Sequence, residues 1–350
     1  MSGRKRLAVG LVAVPGVAAA VVMILLGVSG FGPSDPDPVS VATLEPTAAA
    51  PTGSATPSAS PSPTPTGVGR LGASPSPSAS PSASKAAPPA KGGFPNASNT
   101  GVPAGVALSA YRGSCTITKA KTVIDAKTVN CDIHIKAADV VIKRSRISGQ
   151  IVSEGNGSVR VEDSEIDGGR GQTHTVAYQN ITVLRSEIRG GQTNVNCRRN
   201  CHIEDSWLHA QYMPDGVDWH LDAFLSNGGS NIKLIHNTLA CDHPGNSNGG
   251  GCSANAAIFG DFAANSNYTF DRNLFVASEH TPYCAYGGLD PKKAYGTQVQ
   301  GIVFTNNVFQ RGKNGKCGTY GPITSFDSSK PGNVWRDNTW DDGSPVPPAL

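Results

Sequence analysis

The sequence predicts an all-β fold for the chain after about residue 103: a single-stranded, right-handed parallel β-helix, a solenoid of about eight coils. Three observations predict it. A short Val/Ile-rich run recurs eight times, each copy ending on Ser or Asn. The copies follow too closely for a helix to stand between them. Glycine is abundant, at 41 of 350 residues, while aromatics make up 6%, a composition suited to tight turns around a narrow core.

The early copies include Val140-Val141-Ile142-Lys143-Arg144-Ser145 and Val159-Arg160-Val161-Glu162-Asp163-Ser164. Later ones include Ile232-Lys233-Leu234-Ile235-His236-Asn237 and Ile302-Val303-Phe304-Thr305-Asn306-Asn307. The closing residues are Ser145, Ser164, Ser186, Ser206, Asn237, Asn273, Asn307 and Asn338, spaced by 19, 22, 20, 31, 36, 34 and 31 residues. A period near 20 that lengthens by insertion marks stacked coils. Each run alternates apolar and polar residues, as a half-buried strand does. The closing Asn tolerates the left-handed bend of a sharp corner. Its amide is expected to bond to the same residue one coil away, with Ser as a weaker substitute. A β-sandwich with Asn-rich turns is the competing architecture, and eight copies ending at the same type of position weigh against it.

The N-terminal region is organised differently. Arg4-Lys5-Arg6 precedes an apolar run from Leu7 to about Val28, long enough to span a bilayer. A retained signal anchor and a cleaved signal peptide both fit residues 1–31, and both export the remainder of the chain. Residues 32–102 are Pro-, Ser- and Thr-rich, as in Ser74-Pro75-Ser76-Pro77-Ser78. Such a segment is expected to be a disordered spacer. The β-helix domain is then 103–350.

Eight cysteines in an exported domain suggest disulfides. Sequence neighbours would pair as Cys115–Cys131, Cys197–Cys201, Cys241–Cys252 and Cys284–Cys317. The absence of paired C-x-x-C motifs argues against structural zinc. A formal charge of +3 and a pI near 8.4 give no case for nucleic acid as a partner. A monomer is expected.

The ladder pattern, from about Cys115 to Trp340, resembles the pectate-lyase-like superfamily of right-handed parallel β-helix proteins. The resemblance implies the architecture and action on acidic or neutral polysaccharides. No copy of the pectate lyase arginine motif or of the polygalacturonase paired-aspartate signatures stands in the chain, so no enzyme family within the superfamily is assigned.

Insertions on a solenoid tend to build its binding face, and the longest lie between Ser206 and Asn338. Within them, Asp218-Trp219-His220-Leu221-Asp222-Ala223-Phe224 stands out. Read as a strand, it turns Trp219, Leu221 and Ala223 inward and sets Asp218, His220 and Asp222 on the outer face. That stripe suits acid/base or metal chemistry. Ladder alignment places Asn194 and Asn196 on the preceding coil, and Asn255 and Asp261 on the following one. Asp218 and Asp222 would be about 13 Å apart on a strand, beyond the roughly 5–9.5 Å of glycosidase carboxylates. Asp261 is the better partner for Asp222. For a lyase, His220 is the candidate base. Arg198, Lys233 or a calcium ion held by Asp222 would neutralise a substrate carboxylate.

Three loops are expected to wall the site: one from Cys241 to Cys252 with Asp242 and His243, one from Ser278 to Tyr283, and one from Lys313 to Tyr320. Tyr212, Tyr283 and Tyr286 are candidate sugar-stacking rings. His236 reads as structural, and His174 has no acidic company in the sequence. The sequence thus points to an extracellular or surface-anchored carbohydrate-active enzyme, a lyase or a hydrolase. The alternative is a non-catalytic display protein that binds a polysaccharide or cell-wall glycan.

Overall fold

The computed structural model describes residues 93–348. The apolar N-terminal segment and the linker up to residue 92 lie outside the described residues. Among the described residues there is no helix, and so none long and apolar enough to cross a membrane.

Neighbouring strands pair in parallel and stack into a β-helix with three columns. Column A is a sheet of ten strands, from Ser109–Ala110 to Thr339–Trp340. A sheet of sixteen strands supplies the other two. Column B runs from Thr116–Ile117 to Gly321–Thr324, and column C from Val123–Asp125 to Val334–Arg336. Each coil passes through B, then C, turns the ladder corner, and continues through A into the next coil. The strands His174–Leu184 and Thr193–Glu204 serve both B and C. They bend at Asn180 and Asn200, whose φ angles are 54° and 53°.

The inward rows form one continuous core. In column C, Ile142, Val161, Val183, Ile203, Leu234, Phe270 and Phe304 follow one another in register. Column A changes in the same way, from Ile147 and Ile166 to Phe275 and Phe309. Aliphatic side chains thus fill the early coils and stacked rings the late ones. The Phe270 and Phe304 rings lie 4.5 Å apart, and those of Phe275 and Phe309 4.4 Å apart.

The ladder forms along its whole length. Each closing residue donates its backbone N–H to the side-chain oxygen of the next: Ser145 to Ser164, Ser206 to Asn237, and Asn307 to Asn338. The asparagines also bond amide to amide, at 3.0 Å from Asn237 to Asn273 and from Asn273 to Asn307. The expected conformational role shifts by one position. The left-handed residue is the one before the ladder, at Arg144, Asp163, Arg185, Asp205, His236, Arg272, Asn306 and Asp337, with φ between 47° and 56°. The ladder side chain holds that bend from within the corner. Ser Oγ donates to the carbonyl two residues back, as in Ser145 to Lys143, while Asn Nδ2 donates to the preceding coil, as in Asn273 to Leu234.

A second ladder stands at the exposed B–C corner. Asn200 donates to Asn180, Asn231 to Asn200, and Asn267 to Asn231, at 2.9, 3.2 and 3.3 Å. Here the left-handed residue and the ladder residue are the same.

All four disulfides join the expected neighbours: Cys115–Cys131, Cys197–Cys201, Cys241–Cys252 and Cys284–Cys317. Such cross-links fit an oxidising compartment. Residues 93–102, read from composition as the end of the linker, lie against the solenoid. The Phe94 ring is 5.6 Å from that of His236, and Gly101 N–H donates to Arg185 O. At the other end Trp335 Nε1 donates to Val346 O, and Val346 is buried over the last coil.

Candidate functional site

The strand His220–Ser226 of column B carries the Asp222 side chain. It pairs with Thr193–Glu204 on one side, Thr193 opposite Asp222, and with Gly251–Ile258 on the other, Ala254 opposite Asp222. These are the neighbours that ladder alignment predicts. The facing differs. The register slips between Leu221 and Asp222, where Gly251–Ile258 carries one extra residue. Ala223 and Phe224 both enter the main core. Leu221 and Trp219 instead pack under the Cys241–Cys252 loop with Met213 and Val217. Asp222 is left beside an outer apolar cluster of Leu225, Ala254 and Ala257, flanked by Phe259 and Tyr286.

The expected Asp218–His220–Asp222 stripe is therefore not a uniform face. Asp218 and His220 stand exposed, and Asp218 precedes the strand. Asp222 is 2% exposed. Burial among apolar groups pushes its carboxyl up to about 8, against a smaller downward pull from the Ala254 backbone amide. Asp222 is thus a neutral acid at neutral pH.

The row that contains Asp222 gathers other polar groups. His174, Thr193 and Asp222 occupy one register on three successive coils, about 4.8 Å apart per step. His174 Nδ1, Thr193 Oγ1 and Asp222 Oδ1 are all buried without a protein hydrogen-bond partner. The His174 ring is held by Asn196, whose Nδ2 lies 3.2 Å from Nε2. Accepting there leaves the ring proton on the unpartnered Nδ1. Burial, and then the Arg198 charge, pulls the imidazole down to about 4, so it too is neutral. Orphaned buried polar atoms are rare in native folds, and three in one row mark a place built for hydrogen bonding. Sequence reasoning passed over His174. It lies 10 residues after its ladder serine, Thr193 lies 7 after Ser186 and Asp222 lies 16 after Ser206. No constant offset links them, and only the pairing register brings them together.

Aromatic rings continue this face. Tyr283 lies in the next coil after Ala254, with its ring 5.8 Å from those of both Tyr286 and Tyr320. Tyr320 is 68% exposed. Burial raises the Tyr286 phenol to about 12, with smaller contributions from Asp222 and Tyr283. At the opposite end Arg198 lies 4.0 Å from the Tyr178 ring centroid, on the exposed bend of the strand Thr193–Glu204 that the Cys197–Cys201 disulfide spans.

Several expected site residues lie elsewhere. Asn194 and Asn255 are fully buried, turned inward, and occupied with backbone. Asn194 donates to His209 O, while Asn255 accepts from Cys241 N and donates to Val276 O. A break in the alternation near each residue directs it into the A–B corner. Lys233 is exposed on a column C strand, away from the column B face. Asp261 is paired with Lys293 at 2.7 Å and carries its counter-charge with it. Tyr212 lies under Arg170, whose guanidinium is 5.5 Å from the ring centroid. Among the described residues no three His, Cys, Asp or Glu side chains converge as a metal site, so Asp222 is not one of such a set.

Comparison of the chain with known families, with curated proteins and with solved structures finds no match. What the site can do rests on its own chemistry: a neutral imidazole, a hydroxyl and a neutral carboxylic acid in line, next to exposed and half-buried phenols.

Proposed function

We propose that the domain is an extracellular carbohydrate-active protein that engages a polysaccharide or cell-wall glycan along the outer face of column B. The observation that carries this reading is the group of rings Tyr283, Tyr286 and Tyr320 on this face, next to the buried row His174–Thr193–Asp222 with its unpartnered polar atoms. Accessible phenol faces suit pyranose rings. The pectate-lyase-like pattern of the ladder supports the same substrate class, and four disulfides support an extracellular setting.

Cleavage is the first form of this reading. Asp222 holds its proton near neutral pH, the state a general acid starts from, and at 2% exposure it must be uncovered before a glycosidic oxygen reaches it. The second form is binding without turnover. It is favoured by the separation of Asp218 and His220 from Asp222, and by the pairing of Asp261 with Lys293, which leaves Asp222 without the carboxylate partner a hydrolase uses. Incubation with a glycan panel separates the two, following reducing ends and the ultraviolet absorbance of unsaturated products. Turnover lost in Asp222→Asn supports cleavage. Retention on a glycan without turnover supports binding. Neither retention nor turnover on any glycan would sink the proposal.

A further inference from the structure

Apart from the column B face, three loops that lead from column A into column B meet around a cavity of about 300 Å3. They are the loops the sequence singles out. Asp242 comes from the first, Ser278, Glu279 and His280 from the second, and Lys313 and Asn314 from the third. Two disulfides brace the walls. Cys241–Cys252 pins the loop that carries Asp242, and Cys317, part of the lining, is bonded to Cys284. Hydrogen bonds tie loop to loop. Ser278 Oγ donates to Asp242 Oδ1 at 3.0 Å, Ser278 N to Cys317 O at 2.9 Å, and Thr319 Oγ1 to Glu279 O at 3.0 Å. The walls are set before anything binds, which lowers the ordering cost of a ligand.

The charges on these walls are opposed and stand outside any ion pair. Asp242 and Glu279 face the cavity from two loops, and Lys313 from the third. None of them takes part in the ion pairs found among the described residues. Asp125, Asp163 and Glu165 elsewhere on the solenoid are each paired with an arginine. Asn314, by contrast, has spent its amide on Gly318 O. Carboxylates from two loops and an ammonium from a third, lining one small braced cavity and free of ion pairs, match a ligand that carries both charges itself.

We propose that this cavity binds a small zwitterion of amino-acid size, with its ammonium toward Asp242 and Glu279 and its carboxylate toward Lys313 and His280. The volume is at the small end of ligand sites. Charge-assisted bonds at both ends supply the selectivity over neutral sugars. The site shares no lining residue with the column B row, so it stands whether or not that face takes a glycan.

The test is calorimetric titration of the full chain with L-alanine, D-alanine, L-glutamate and L-lysine. Their N-acetyl and carboxamide derivatives serve as blocked controls, and amide chemical shifts report the location. At least one free amino acid binds, each blocked form binds tenfold or more weakly, and shifts concentrate at residues 277–280 and 312–317. Lys313→Gln and Asp242→Asn each weaken binding about tenfold at unchanged Tm. The proposal is overturned if no free amino acid binds in the millimolar range or if blocked forms bind equally well. Shifts centred on Tyr283 and Tyr286, or full affinity in both variants, would also overturn it.

Discussion

Asn273 shows what one ladder residue does. Its Oδ1 accepts from both the backbone and the side chain of Asn237, and its Nδ2 donates to Leu234 O and to Asn307 Oδ1. Asn273→Ala removes these four buried hydrogen bonds at about 1 kcal/mol each and leaves the Asn237 N–H without its acceptor, so urea unfolding should show a loss of about 3 kcal/mol or more. Asn273→Ser keeps an acceptor for the Asn237 N–H and should lose roughly half as much. Asp222 and His174 set opposite pH dependences. Between about pH 4 and pH 8 the unfolded chain ionises Asp222 while the folded chain keeps its proton, so this residue lowers stability as pH rises through that window. His174 is neutral in the fold down to about pH 4, so between 6.5 and 4 it lowers stability as pH falls. Asp222→Asn should therefore raise Tm at pH 8 more than at pH 4, and His174→Gln should flatten the acid side. Equal Tm changes at all pH values for Asp222→Asn would show that Asp222 is not a neutral acid in the fold.

At the scale of elements, the column B strand His220–Ser226 was legible as a strand and in its pairing register, but not in its faces. A period of two assigns faces only while alternation holds. The slip beside Gly251–Ile258 and the two consecutive core residues Ala223 and Phe224 break it. A bulge depends on what the partner strand carries, and nothing in residues 218–224 records that. The tyrosine end of the face makes a separable prediction. Tyr320 is mostly exposed, its ring tilted 47° to that of Tyr283. Tyr320→Ala should weaken glycan binding roughly tenfold in affinity electrophoresis while leaving Tm within about 1 °C, as expected for a surface change. The disulfide pairs were legible because each joins cysteines consecutive in the sequence, within one loop or corner or on adjacent coils, the longest separation being 33 residues.

Across the whole molecule, each coil touches only its neighbours, so stability should vary along the axis. The first coil has strands of two and three residues, and an edge valine, Val123, 57% exposed. The coils around Asn237 and Asn273 have seven-residue column C strands, amide-to-amide ladders and ring stacking. Native-state hydrogen exchange should therefore find the slowest amides at 232–235 and 268–271 and the fastest ordered ones at 109–125. Uniform protection along the axis would mean that the solenoid opens as one unit. The sequence by itself determined the repeat and the corner chemistry and suggested the cysteine pairs out of 105 pairings, because all three are written in residues that recur or lie near one another along the chain. Only the tertiary structure decided which polar groups share a face. Coil lengths vary from 19 to 36 residues between ladder positions, so His174, Thr193 and Asp222 have no fixed spacing, and their meeting depends on hydrogen-bonded register between coils.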